Sequence, residues 1–197
     1  MNSVAEVCRE GSTSLSSKEL IEKSQGAATS LAKKGIKKGD PVLFAMNTGI
    51  EFLIVFMALL HLRAKIALVD PHMGPHLYQA KIQQLKPKWA FIDRRLLFLQ
   101  EQRFIRKLYT LNNSHGLFIP RDDTYTIFGT GPWVPLYRHY EKIEFEHNVS
   151  ELLSTEHDDE IIIVYTSGTL AEPKGVVHTI NSIYNSLSVL STILEKK

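Results

Sequence analysis

The chain has 197 residues, of which 44% are hydrophobic and 22% are charged, a balance typical of one ordinary globular unit with a sizeable core. Its 23 basic and 21 acidic side chains give a net charge of only +2, and the basic residues are scattered, which argues against a nucleic-acid partner or an anionic membrane surface. The single cysteine, Cys8, excludes an internal disulfide, and no signal core or transmembrane run is evident, so a cytoplasmic protein is expected.

Helices and strands alternate over residues 1–111. Ser16 and Glu19 form a capping-box pattern before a helix that Gly35 ends. The later elements are a strand at 41–46, a mostly buried helix at 50–62, a strand at 66–69, a helix at 75–85, a strand at 89–92 and a helix at 94–109. Alternation with short connections predicts an α/β fold with a doubly wound, mainly parallel sheet and flanking helices.

Residues 112–160 are less regular. Glycine, proline and aromatic residues interrupt short runs such as 125–128 and 133–137, which indicates a loop excursion or a β-rich region. An apolar strand at 161–164, a loop and a helix are expected to complete the chain. We therefore treat residues 1–197 as a single partial domain whose last part, 161–197, carries the chemistry.

The segment 165–176, YTSGTLAEPKGV, has the composition of a phosphate-binding loop. Glycines let the backbone approach an anion, hydroxyls and free N–H groups donate hydrogen bonds, and a lysine supplies positive charge. The lysine precedes its glycine, so the spacing excludes a Walker A loop. The candidate phosphate ligands are Thr166, Ser167, Gly168, Thr169, Lys174 and Gly175.

This segment resembles the phosphate-binding signature of the adenylate-forming (AMP-binding) synthetase and ligase superfamily, Y-T-S-G-[ST]-T-G-x-P-K-G-V. Ten of the twelve positions fit. Leu170 replaces a threonine hydroxyl and Ala171 replaces a glycine, and Ile180 stands where the family often has a histidine. These departures leave open whether this copy still binds ATP well.

A second stretch is similar to the same family. Residues 35–42 follow its G-x-x-x-G-D-x-V pattern, and Asn47, Glu51 and Asp70 fit the pattern that comes next. This pattern mostly records a packed strand, helix and strand, so it argues for fold. Residues 70–74, DPHMG, also resemble a fatty-acyl branch that includes the β-lactone synthetases.

The resemblance implies an ATP-dependent ligase, with Mg²⁺, that activates a carboxylic acid as acyl-AMP. The family's later motifs, including its magnesium-linked glutamate and its C-terminal lysine, do not occur before Lys197. The chain alone is therefore expected to be inactive and to need a complementing C-terminal polypeptide. The alternatives are a nucleotide-binding or protein-interaction remnant without catalysis, or a chain with no function of its own.

Other chemistry is less well supported. Gly74 and Pro75 lie between His72 and His76 and break the helix that would place both on one face, so no metal site is predicted there. The acidic run at 157–160 is more typical of a solvated turn than of an ion site. His178 is interpreted as an ordinary histidine of a helix or loop.

Overall fold

The computed structural model describes residues 6–70, 75–101, 125–131, 143, 159–166 and 174–194. The strands are β1 (Glu6–Glu10), β2 (Thr13–Ser16), β3 (Pro41–Ala45), β4 (Lys65–Leu68), β5 (Trp89–Asp93), β6 (Thr126–Thr130), β7 (Glu160–Thr166) and β8 (Lys174–Thr179). The helices are α1 (Ser17–Lys33), α2 (Ile50–His61), α3 (Pro75–Leu85), α4 (Arg94–Glu101) and α5 (Ile180–Leu194).

Six strands form the main sheet, in the order β6-β5-β3-β4-β7-β8. Every neighbouring pair is parallel except β7 and β8, which are antiparallel. The carboxyl ends of β6, β5, β3, β4 and β7 therefore meet at one edge of the sheet. In open α/β sheets ligands bind at this edge. The segment that follows β7 therefore starts at the edge where ligands bind.

Helices cover both faces of the sheet, which confirms the predicted doubly wound α/β class. Side chains alternate along β3, so Val42 and Phe44 enter one core and Leu43 and Ala45 enter the other. The first core contains buried residues of α1 and α2, and the second contains buried residues of α3 and α4. The two cores hold the central strands between them.

The capping box at the start of α1 is confirmed. The backbone N–H of Glu19 donates to Ser16 Oγ at 3.3 Å, and the Glu19 carboxylate accepts from the Ser16 backbone N–H at 2.9 Å. Gly35 follows the helix with a φ of 105°, a conformation that glycine adopts without strain. The sequence signals at both ends of α1 therefore act as predicted.

Four strands differ from the prediction. β1 and β2 form an antiparallel hairpin that was not expected. β6 lies in the region interpreted as irregular or β-rich, yet it pairs with β5 and extends the main sheet. β8 stands between the loop and the final helix, where only a loop was expected. The predicted helix at 94–109 is described as far as Glu101, and the run at 133–137 lies outside the described residues.

Within the described part of the chain, no helix is long and apolar enough to cross a lipid bilayer. The most apolar one, α2, has 12 residues and packs against α1 and the sheet.

Candidate functional site

The hairpin of β7 and β8 frames the predicted phosphate loop. Its register pairs Thr166 with Lys174 and Tyr165 with Gly175. The structure thus brings together three of the six predicted site residues, Thr166, Lys174 and Gly175, at the carboxyl end of β7. The other three, Ser167, Gly168 and Thr169, lie outside the described residues, as do the two departures at 170 and 171.

Position 175 has no room for a side chain, so a glycine is required there. A Cβ atom there would lie 2.9 Å from Ile163 Cγ2 and 3.3 Å from Tyr165 Cε1, and the first distance is shorter than real Cβ contacts. The absence of a side chain lets β8 approach β7 beside the Tyr165 ring. A larger residue at this position, next to Lys174, would force Ile163 or the β8 backbone to shift.

Lys174 is exposed and is the first residue of β8, opposite the last residue of β7. Thr166 and Lys174 therefore lie at the two ends of the 167–173 segment. An ammonium group is a compact charge suited to phosphate oxygens, and a threonine hydroxyl donates a hydrogen bond to the same kind of atom. This arrangement is chemically suited to an anion.

The amino end of the hairpin is held by ion pairs. The Asp159 carboxylate lies 2.8 Å from Lys38 Nζ and 2.9 Å from Arg63 Nη1. The hydrogen bond from Lys38 holds the pKa of Asp159 below its usual value, against the opposing effect of burial, and the charge of Arg63 adds to it. Glu160 contacts Lys65. Two of the four polar residues at 157–160 thus anchor strands, while 157 and 158 lie outside the described residues.

A buried lysine, which sequence reasoning missed, lies beside this hairpin. Lys81 of α3 is 7% exposed, and its Nζ stands 4.7 Å from the centroid of the Tyr165 ring. Burial lowers the pKa of Lys81, and the charge of Asp70 opposes that shift. From the sequence alone, a lysine on a short helix is expected to be exposed to solvent, so no local pattern predicts that Lys81 is buried.

A second polar cluster joins the carboxyl ends of β3, β5 and β6. Asn47 Nδ2 donates to the Asp93 carboxylate at 2.7 Å, and the Gly131 backbone N–H donates to Glu51. Together with neighbouring side chains they line a cavity of about 320 Å³. Asn47 therefore links the ends of β3 and β5, and Glu51 links α2 to the residue after β6, in agreement with their interpretation as markers of fold.

The histidines add little to the site. His178 lies on β8 opposite Ile162 and is half-buried, so it belongs to a strand and not to the helix or loop expected. Ile180 begins α5, and its backbone N–H donates to the Asp159 carbonyl at 3.1 Å. His72 and the side-chain environment of His76 lie outside the described residues.

Comparisons with solved structures support the fold. A fatty acyl-adenylate ligase from L. pneumophila, in complex with acyl adenylate and pyrophosphate, superposes with a TM-score of 0.67 at 17% identity, covering 91% of this chain and 28% of that one. A luciferase-like enzyme from the Zophobas morio mealworm gives a TM-score of 0.64 at 20% identity, and the superposition covers 86% of this chain and 37% of that one. At these identities the likeness concerns the fold alone.

Comparisons with curated proteins lead to one family. An uncharacterized acyl–CoA ligase, YtcI of Bacillus subtilis (strain 168), is 25% identical over 166 residues, 84% of this chain and 28% of the ligase. A 3-hydroxybenzoate–CoA/4-hydroxybenzoate–CoA ligase of Thauera aromatica is 24% identical over 170 residues, which cover 86% of this chain and 30% of that ligase. The chain thus spans less than a third of these relatives.

The family model for the AMP-binding enzyme matches residues 2–196, almost the whole chain. This match agrees with the sheet order, with the β7–β8 hairpin and with the motif that the hairpin frames. The chain belongs to the AMP-binding enzyme family.

Proposed function

We propose that this chain is part of an ATP-dependent adenylate-forming ligase and that its β7–β8 hairpin handles the phosphates of ATP. The observation that carries the proposal is the register that sets Thr166 opposite Lys174 at the carboxyl end of β7. In the proposed reaction the carboxylate of an acid attacks the α-phosphate of ATP, giving acyl-AMP and pyrophosphate. Lys174 and the hydroxyls of Thr166, Ser167 and Thr169 bind phosphate oxygens, and Gly168 and Gly175 let the backbone come close.

The proposed acid is a carboxylic acid of the kind that acyl–CoA ligases activate. A fatty acid is the finer proposal, supported by the DPHMG sequence at 70–74. Among the described residues no group of three or more histidine, cysteine or carboxylate side chains could hold a metal ion. These residues do not fit a resident Mg²⁺, and in the proposed reaction the metal would arrive bound to ATP. The proposed location is the cytoplasm.

We further propose that another stretch of polypeptide completes the domain. Large apolar side chains are exposed on α5 and on β7 and β8, the two strands at one edge of the sheet: Val164, Val176, Val177, Tyr184 and Val189. Tyr184 is 69% exposed and Val189 is 60% exposed, more than isolated surface residues require. The curated relatives are more than three times as long as the stretch matched here, so a covering segment is available in proteins of this family.

The isolated 197-residue chain should not catalyse acid-dependent exchange of pyrophosphate into ATP. A phosphate contact alone does not position the acid or stabilise the charge that develops on transfer, so turnover should stay at background. The measurement is isotope exchange with a panel of short to long aliphatic and aromatic acids. Lys174→Ala is the matched control. Robust exchange that disappears in this variant would show that the chain is competent by itself.

A remnant that binds nucleotide or protein without turnover is the second candidate. It is favoured by three departures from the family motif, at Leu170, Ala171 and Ile180. Ile180 lies at the start of α5, where its apolar side chain can supply neither a proton nor a hydrogen bond.

A further inference from the structure

Six exposed lysines lie at the amino-terminal edge of the main sheet, opposite to the carboxyl end of β7. They occupy the end of α1, the turn before β3 and the connection from α3 to β5: Lys33, Lys34, Lys37, Lys38, Lys86 and Lys88. We call this set the basic rim. In the sequence the six lysines are scattered over residues 33–88, and the expectation of no anionic membrane partner rested on that scatter. Only the fold brings them together.

Asp40 joins two parts of the basic rim. Its carboxylate accepts from the Lys37 backbone N–H at 3.0 Å and from Lys88 Nζ at 2.6 Å. The Trp89 indole N–H donates to the same carboxylate at 3.2 Å, and a Cβ atom at Gly35 would lie 3.8 Å from the Trp89 ring. The end of α1, the turn before β3 and the start of β5 are therefore in contact.

Asp159 extends these contacts to the other side of β3. Its carboxylate lies 2.8 Å from Lys38 Nζ and 2.9 Å from Arg63 Nη1, and Glu160 pairs with Lys65. The basic rim thus reaches from the start of β5 to the start of β7, across four adjacent strands and about 14 Å. This width is close to the Debye length of about 10 Å at 0.1 M salt, so the lysines act together on an approaching anion.

The basic rim carries a surplus of positive charge. Arg63 and Lys65 join the six lysines at these strand starts, and the carboxylates there, among the described residues, are Asp40, Asp159 and Glu160. The surplus of five exceeds the net charge of the whole chain, which is only +2. Residues 121–124 and 157–158 adjoin strand starts but lie outside the described residues. They hold one arginine and three aspartates, too few to cancel the surplus.

We propose that the basic rim docks this protein on an anionic lipid surface. A lysine ammonium on a flexible stem binds many anionic head groups without a fixed geometry, whereas recognition of one shaped anion favours arginine. Arg63 is 5% exposed and pairs with Asp159. The Trp89 ring packs against Gly35 and Phe128 instead of standing free to stack on nucleic-acid bases. The proposal does not depend on the phosphate role of the β7–β8 hairpin, which lies at the opposite edge.

A purely structural role of these lysines predicts a different result. Cations near the carboxyl end of a helix stabilise it, which would account for Lys33 and Lys34 at the end of α1 and for Lys86 after α3. If the lysines serve only the helices, replacing them should lower the melting temperature and leave lipid binding unchanged. If they dock the protein, lipid binding should fall in variants that remain folded.

The experiment measures sedimentation of the whole chain with vesicles of phosphatidylcholine alone or of phosphatidylcholine and phosphatidylserine in equal parts. The parent should bind only the anionic vesicles at about 0.1 M salt and be released at about 0.5 M. Lys37→Gln with Lys86→Gln removes two charges of the basic rim and should weaken the binding about ten-fold or more. Lys18→Gln with Lys23→Gln, in the first half of α1, is the matched control and should bind like the parent.

Parent protein that does not sediment with the anionic vesicles overturns the docking role, and so does equal binding by the two double variants. Polyglutamate and a single-stranded oligonucleotide are titrated in parallel. Tighter binding to either one, lost in the rim variant, would assign the rim to an acidic polypeptide or a nucleic acid and overturn the lipid proposal. Lys37→Gln alone gives a smaller loss if the double variant does not fold. Pyrophosphate affinity should be the same in the rim variant and the parent, so the two proposals fail separately.

Discussion

Replacing Phe91 with alanine should cost about 3–5 kcal/mol of unfolding free energy. Phe91 is fully buried on β5, and its ring stacks on Phe128 of β6 with centroids 4.8 Å apart. The ring centroid of Phe44 on β3 lies 6.2 Å from the ring centroid of Phe91. Because this cluster joins three adjacent strands, the truncated side chain leaves a cavity that the sheet cannot close by small movements. Urea unfolding followed by circular dichroism measures the loss.

Phe52→Ala is the matched control for Phe91→Ala. Phe52 contacts the same Phe44 ring at 5.1 Å but is only half-buried on α2, so a loss of about 1–2 kcal/mol is expected. If the alanine variant of Phe91 does not fold, Phe91→Leu gives a smaller measurable loss at the same place. Equal losses at Phe91 and Phe52 would contradict the description of the core.

Asp93→Asn should destabilise the fold by about 2–3 kcal/mol at neutral pH. The carboxylate is 2% exposed at the carboxyl end of β5. It accepts from Asn47 Nδ2 at 2.7 Å, from the Arg95 backbone N–H at 2.8 Å and from Arg95 Nε at 3.0 Å. Its isosteric amide turns one acceptor into a donor that faces other donors, so at least one buried polar group loses its partner.

The same carboxylate predicts a pH dependence. Burial alone would raise the pKa of Asp93, but hydrogen bonds from the Arg95 side chain and backbone and from Asn47 outweigh it and hold the pKa below its usual value. A carboxyl whose pKa is lowered on folding stabilises the protein above its unfolded pKa, near 4, and this contribution is lost as pH falls through the folded value. The difference between the parent and Asp93→Asn should therefore fade in acid.

Urea midpoints of both proteins between pH 7 and pH 3 test this expectation. Glu22→Gln serves as the control, because Glu22 is exposed and lies 3.8 Å from Lys18 in a surface pair that contributes at most about 1 kcal/mol. A difference for Asp93→Asn that is small at neutral pH, or that grows in acid, would show that the buried carboxylate is not held by these bonds.

Much of the fold follows from local sequence signals. The capping box of Ser16 and Glu19 marks the start of α1, and α3 occupies the predicted bounds. The strands β3, β4 and β5 end within one residue of their predicted positions. These elements are legible because apolar runs of strand or helix length are separated by glycine and proline, and because their connections are short.

The unpredicted strands depend on contacts that are distant in sequence. β6 joins the sheet through parallel pairing with β5, and more than 20 residues connect the two strands. No local sequence pattern predicts pairing over such a distance. β8 exposes Val176 and Val177 on successive positions, so it lacks the alternation of a half-buried strand.

The candidate site divides in the same way. The sequence motif identifies Thr166, Lys174 and Gly175, and the β7–β8 register brings them together. Lys81 could not be predicted, because only the tertiary packing of α3 against Tyr165 shows that this lysine is buried. A motif identifies the residues of one loop, whereas the groups that surround the loop depend on the fold.

Titration of pyrophosphate into the parent, Lys174→Ala and Lys18→Ala proteins tests the phosphate role of the hairpin most directly. Lys174 is exposed, so its removal should leave the melting temperature nearly unchanged. Loss of a charge-assisted contact of about 1.5–3 kcal/mol should weaken pyrophosphate binding about ten-fold or more, while Lys18→Ala binds like the parent. Equal affinity in all three folded proteins would contradict the account and leave Lys174 as an ordinary surface residue.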